Sequence, residues 1–212
     1  QLEDITKKSE KYPFLISNVN DQKNLLSNIV RSSGFYFSKI NTRIIENKNN
    51  SVDLIYDFIL GERAVIKNIN FQGNKIFKDS KLRNVIKSEE GKFWKFITSN
   101  KYLDERKIKI DEKLLTEFYK NKGYYNVNVK SSYAKNISNK YFELNFNIDA
   151  GEKFYFDNIN LNLKDEFENE NFKNITKTIE KLKGKKYSKK ILNDILDEIN
   201  KTALEKEYVF VD

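Results

Sequence analysis

The chain of 212 residues has no histidine, no cysteine and no methionine, one proline and only seven glycines. Without histidine the commonest general base and the commonest metal ligand are gone. Without cysteine there is no disulfide framework, thiolate metal site or thiol nucleophile, and the redox compartment cannot be read from thiol usage. The glycines stand at least ten residues apart, so no glycine-rich phosphate loop exists, and there is no Gly-x-Ser-x-Gly. No run approaches the roughly 18 apolar residues of a membrane-spanning helix. The start, QLEDITKKSEKYPF, lacks the basic and apolar stretches of a signal peptide and reads as a processed or excised beginning. The carboxylate pairs Asp104/Glu105 and Asp111/Glu112 are neighbours on a polar helix, where solvated or capping roles are expected. The composition therefore points away from an enzyme and implies no cofactor and no metal.

The net charge of +8 is unevenly placed. Residues 1–62 balance 8 basic against 8 acidic groups, whereas residues 63–150 carry 19 against 10. A basic segment suits nucleic acid, anionic lipid or an acidic partner, or is simply a solvated surface.

What the chain does have is a long repeat. GFYFSKIN at residues 34–41 and GYYNVNVK at 123–130 share a glycine, an aromatic pair and an alternating stretch. Placing Gly34 on Gly123 sets Leu25, Leu26, Ile29 and Val30 on Leu114, Leu115, Phe118 and Tyr119. Val52, Leu54, Tyr56 and Phe58 then fall on Phe142, Leu144, Phe146 and Ile148, and Gly61-Glu62 on Gly151-Glu152. A period near 90 exceeds the roughly 20–50 residues of a solenoid unit and means tandem small domains of one type.

The middle unit is complete. Residues 66–74 predict a strand with Ile69 and Phe71 on one face, closed by Gly73-Asn74. Residues 79–88 predict a helix capped by Asp79 or Ser80, with Leu82, Val85 and Ile86 as its stripe. An aromatic-rich connection with Phe93, Trp94 and Phe96 follows. A second helix spans 103–122, with Asp104 as cap and Ile108, Asp111, Leu114, Leu115 and Phe118 along one side. Asp111 on that apolar side is expected to pair with Arg106 or a backbone donor. Gly123 ends the helix. Residues 124–133 predict a strand with Tyr125, Val127 and Val129 on one face, and 141–149 a second with Phe142, Leu144, Phe146 and Ile148 inward. The unit reads β-α-α-β-β, a sheet with two helices on its apolar face. The first unit retains Leu2 and Ile5 as remnants of its first helix. The third has a strand at 156–163 and helices near 168–183 and 188–204. Both outer units read as truncated.

Such tandem units with a Gly-Asn turn after the first strand resemble POTRA domains. INFQGNKIF (69–77) is similar to the start of one. Within 93–129, Phe93, Trp94, Tyr102, Arg106, Asp111, Leu114, Leu115, Phe118, Tyr119, Gly123 and Tyr124 resemble the third POTRA domain of arrays that serve outer-membrane protein assembly. The third unit departs from the pattern, with Asn-Leu-Asn-Leu for the Gly-Asn turn and Glu207-Tyr208 for Gly-Tyr. The resemblance implies an α+β fold of tandem POTRA domains, each a three-stranded mixed sheet covered on one face by two helices. It implies that 1–62 is a partial second domain, 63–150 a complete third and 151–212 a partial fourth.

What the family implies for function is a non-catalytic periplasmic scaffold at the outer membrane. Its partners would be unfolded outer-membrane proteins, accessory lipoproteins and a barrel domain in cis, with no nucleic acid, and this chain would be monomeric. In the family's fold the strand at residues 125–132 is a sheet edge. Tyr125, Asn126, Val127, Asn128, Val129, Lys130, Ser131 and Ser132 are the expected client edge, since an edge pairs with extended chains regardless of their side chains. An ordinary edge blunted by Lys130 is the alternative. Gly61, Glu62, Gly151 and Glu152 are the expected pivots between units. Two other readings stay open: a POTRA array of a translocation or secretion pore, and a tandem RNA-binding module of the KH type. The second lacks the Gly-x-x-Gly clamp.

Overall fold

Alternating apolar residues build strands, and i, i+3, i+4 stripes build helices; both rules operate here. The computed structural model describes residue 6 and residues 13–92, 98–135, 140–163 and 167–206. In order come α1 (Ile16–Ser32), β1 (Lys39–Glu46), β2 (Val52–Ile59), β3 (Val65–Asn74), α2 (Asp79–Arg83) and α3 (Glu105–Lys120). Then follow β4 (Asn128–Lys135), β5 (Tyr141–Asp149), a 3-10 turn (Asn169–Phe172), α4 (Lys173–Glu180) and α5 (Lys189–Glu205). The chain forms two compact units. One holds residues 1–71, 86–112 and 131–146, the other 72–85, 113–130 and 147–212. Leu2 and Ile5 lie outside the described residues.

In the first unit β1 and β2 pair antiparallel, from Lys39 opposite Ile59 to Glu46 opposite Val52. α1 buries Val19, Leu26 and Val30, and the Tyr56 hydroxyl donates to Gln22 Oε1 at 2.7 Å. The three-stranded sheet has the order β3-β5-β4. Asn68 Nδ2 donates to Glu143 Oε1, and two residues on, Asn70 Nδ2 donates to Asn145 Oδ1. Partners that ascend together mark β3 and β5 as parallel. β4 and β5 are joined by a connection far too short for a crossover, so they run antiparallel and the sheet is mixed. Phe142, Leu144 and Phe146 are buried and Glu143 and Asn145 are not, the alternation of a sheet with one covered face. Phe71 stacks on Phe146 at 5.6 Å.

The second unit has its core where Phe156, Phe172, Ile175, Ile179, Leu182 and Ile195 meet. Burying each such side chain contributes about 1.5–3 kcal/mol. Ser188 caps α5, its Oγ accepting from the Ile191 amide. Gly73 (φ +85°) closes β3. A Cβ there would sit 2.6 Å from the Ile148 carbonyl oxygen, a contact only glycine permits.

Four expectations are corrected. α2 is a single turn ending at Arg83, not a helix to 88. The amides of Lys87 and Ser88, which would have extended it, donate to the Asp111 carboxylate. Neither Asp79 nor Ser80 caps α2: Lys78 is the N-cap residue and Asp79 pairs with Lys75. β4 begins at Asn128, because Tyr124–Val127 form a turn closed by the Val127 amide on Tyr124 O. Residues 156–163 form no ladder, with only Tyr155 bridged, to Lys186. Their alternation nevertheless survives, with Ile159, Leu161 and Leu163 against the core.

Candidate binding edge and the repeated joint

β4 is an edge of its sheet. Asn128, Lys130 and Ser132 are exposed, and Val129 and Ser131 are half-buried. The three preceding residues expected in this edge lie outside it. Tyr125 and Asn126 are exposed and Val127 is buried, in the turn before the strand. The Tyr125 ring packs edge-on against Phe154 (6.0 Å) and Tyr187 (5.2 Å).

The edge is not bare. α3 projects Glu105 and Glu112, seven residues apart and so on one helix face. Glu112 Oε1 accepts from both the amide and the hydroxyl of Ser131, each at 2.6 Å. Glu105 accepts from the Tyr133 hydroxyl. Burial acts to raise the Glu112 carboxyl, but hydrogen bonds from Lys109 and Ser131 outweigh it and hold it below the ordinary glutamate range. Burial, then the Glu105 carboxylate, pushes the Tyr133 phenol well up. The β3 edge has a similar stopper: the Ile69 amide donates to Glu90 Oε1 at 3.0 Å. Carboxylates that occupy edge donors blunt unwanted pairing.

The glycine-aromatic punctuation has its own structural meaning. At the end of α1 the Gly34 amide donates to Arg31 O (2.9 Å) and the Phe35 amide to Val30 O (3.2 Å). At the end of α3 the Gly123 amide donates to Lys120 O (3.4 Å) and the Tyr124 amide to Tyr119 O (3.1 Å). Both are Schellman ends, with glycine at φ +94° and +103°. The Ser38 amide then turns back to Phe35 O as Val127 does to Tyr124 O. The strands start at Lys39 and Asn128.

Each glycine carbonyl next receives the start of the following segment. In the first unit, Gly34 O accepts from the Ala64 amide (2.7 Å), Ala64 O from Leu103, Lys101 O from Ile66, and Ile66 O from Gly91. In the second, Gly123 O accepts from Phe154 (2.8 Å), Phe154 O from Tyr187, Lys185 O from Phe156, and Phe156 O from Gly184. Side chains echo the pattern. Arg63 lies over Phe35 as Lys153 lies over Tyr124, and Arg31 over Tyr36 as Lys120 over Tyr125. Arg63 also donates twice to Ser33 O and lies 4.1 Å from the Tyr102 ring centre.

Other residues singled out in the sequence take structural places. Asp111 is fully buried and accepts from Lys87 and Ser88, while Arg106 is exposed and lies 3.9 Å from Asp104 instead. Asp104 caps α3, accepting from the Arg106 and Lys107 amides. Tyr102 bridges to Val65. Asn74 ends β3; Phe93, Trp94 and Phe96 lie outside the described residues. Gly61 (φ +67°) and Gly151 (φ +63°) occupy open turns, and Glu62 pairs with Lys140 at 3.3 Å. Glu152 is exposed. The sequence reading gave Glu112 a solvated or capping role and missed its hold on Ser131, and it missed the matching places of Arg63 and Lys153. A basic residue directly after each Gly-Glu was the available signal for the pair. Among the described residues, no helix is long and apolar enough to cross a membrane.

Residues 64–151 match the family model described as POTRA, surface antigen variable number repeat. The match covers the middle of the chain, from the end of the first Gly-Glu joint to Gly151. The chain is similar to the outer membrane protein assembly factor BamA of Neisseria meningitidis serogroup B, at 30% identity over 91 residues, 43% of this chain and 11% of that protein. It is similar to BamA of Buchnera aphidicola at 24% identity over 196 residues, 92% of this chain and 29% of that protein. The chain thus spans under a third of the length of either relative. The fold is also that of the Haemophilus influenzae BamA POTRA3-5 crystal structure, with TM-score 0.51 and 14% identity over 88% of this chain and 71% of the other.

Proposed function

We propose that this chain is a non-catalytic periplasmic scaffold of outer-membrane β-barrel assembly. Residues 1–62, 63–150 and 151–212 are its successive POTRA units, with Gly61 and Gly151 as pivots, and its partners are unfolded barrel proteins, accessory lipoproteins and a membrane barrel. The POTRA match over 64–151 in a chain similar to BamA carries this reading. Clients add to the edge of β4, where main-chain groups recognise extended chain without reading its side chains.

Affinity at such an edge is low by construction. About four new hydrogen bonds at roughly 1 kcal/mol net each give only millimolar binding. Glu112 lowers it further by holding the Ser131 amide. A weak, gated edge passes clients on rather than trapping them, and several units in series raise the effective affinity.

The test is an NMR titration of the isotope-labelled chain with a soluble peptide copied from a barrel strand. Amide shifts confined to residues 128–135, insensitive to salt, are expected. A short RNA serves as control. Salt-sensitive shifts with RNA across lysines and tyrosines would move the assignment to nucleic acid. Response to neither would remove strand addition and leave a spacer.

A further inference from the structure

The excess positive charge of residues 63–150 has a focus in the first unit. A groove of about 760 Å³ is lined by five cations, Arg63, Lys67, Lys92, Lys101 and Lys140, against two carboxylates, Glu62 and Glu90. Lys140 pairs with Glu62 at 3.3 Å and Lys92 lies 4.0 Å from Glu90, which also accepts from the Ile69 amide, so the lining carries a net excess of three positive charges. Its volume falls in the range of ligand sites, about 300–1,000 Å³.

Two tyrosines organise the charge. Lys67 and Lys140 lie 5.3 and 5.8 Å from the Tyr141 ring centre. Arg63 and Lys101 lie 4.1 and 5.6 Å from that of Tyr102. Cations over π faces are held at defined places, so the side chains are partly ordered before any ligand arrives.

We propose that this groove binds an acidic peptide segment of a partner protein, lying extended with its carboxylates along the lysines. Three observations select this occupant. The cations are spread over two separate rings, which matches a row of charges. The main-chain amides that converge on a phosphate at a helix N-terminus would add to such a site, and none of the lining residues lies in a helix. A concavity also withdraws its charge from a flat membrane surface, whereas it focuses the field on a chain that can enter. The groove is separate from the β4 edge, and the proposal stands whether or not that edge accepts a client.

The experiment titrates the labelled full chain with an oligoglutamate peptide at low and physiological salt. Parallel titrations use inorganic phosphate and phosphatidylglycerol vesicles. Two double variants carry equal charge changes: Lys67→Glu with Lys140→Glu in the groove, and Lys173→Glu with Lys177→Glu on α4, outside the groove lining, as the control. Expected are shifts at Lys67, Lys101, Tyr102 and Tyr141, and a loss of about tenfold in affinity in the groove variant only. The α4 variant should change affinity by less than about twofold, because neither residue lines the groove. Equal losses in both variants would reduce the effect to net charge and overturn the proposal. Groove-dependent binding of vesicles or phosphate without the peptide would overturn it in favour of an anionic head group or a free anion. An unchanged amide spectrum outside the substituted positions verifies that both variants are folded.

Discussion

Glu112 holds Ser131 twice, accepting from its amide and its hydroxyl at 2.6 Å each. A helix thereby takes a donor that a passing strand would use. Glu112→Ala should speed hydrogen exchange of the Ser131 amide and lower stability by about 1–2 kcal/mol in urea titration. The same substitution should strengthen binding of a barrel-strand peptide at β4. Unchanged peptide affinity would remove Glu112 as a gate.

This contact also sets a pH dependence. The folded Glu112 carboxyl titrates below its ordinary range, so its contribution is fully present above the unfolded value of about 4.3 and fades as pH falls through the lower folded value. Urea midpoints followed from pH 6 to about 3 should drop more steeply in the wild type than in Glu112→Gln.

Asp111 is wholly buried and satisfies the Lys87 and Ser88 amides. Asp111→Ala strands both donors and should cost about 3 kcal/mol. Asp111→Asn keeps one acceptor and should cost less. Thermal unfolding of the two variants checks the order.

Gly123 is held at φ +103°, with Lys153 Cγ 3.0 Å from where a Cβ would stand. Gly61 has a positive φ too, but nothing within 4 Å. Gly123→Ala should therefore destabilise by about 2 kcal/mol and Gly61→Ala by about 1. Equal effects would show that neither the crowding nor the wider φ at Gly123 adds to the cost.

Asn121 Oδ1 accepts from the Lys190 amide in the first turn of α5, beside the Glu117–Lys189 pair at 2.6 Å. Asn121→Ala should cost about 1 kcal/mol, as caps do. It should raise hydrogen exchange in the first turn of α5 before other parts of the second unit respond.

Elements set by local pattern were legible in the sequence. β5 matches its reading to the residue, because Phe142, Leu144, Phe146 and Ile148 alternate strictly. Asp104 was legible as a cap because capping is local. What failed depended on distant partners. The helix expected to reach residue 88 stops short, and Asp111, far along the chain, takes the Lys87 and Ser88 amides. β4 starts late because Tyr124 completes the helix end instead of opening a strand. Residues 156–163 keep an alternating face without a ladder, since strand pairing needs a neighbour that alternation alone does not supply. The charged groove was visible only as an excess of lysine, because Lys67, Lys101 and Lys140 meet through three separate segments.

The joints that start at Gly34 and Gly123 are made of main-chain amides and carbonyls. Apart from the glycines, these bonds ask for no particular residue: Ala64 stands where Phe154 stands, and Leu103 where Tyr187 stands. A hinge of side chains would have to co-evolve, each change awaiting its complement. A backbone splice tolerates drift on both sides. The segments that meet at each glycine can diverge in sequence while the same four main-chain hydrogen bonds persist.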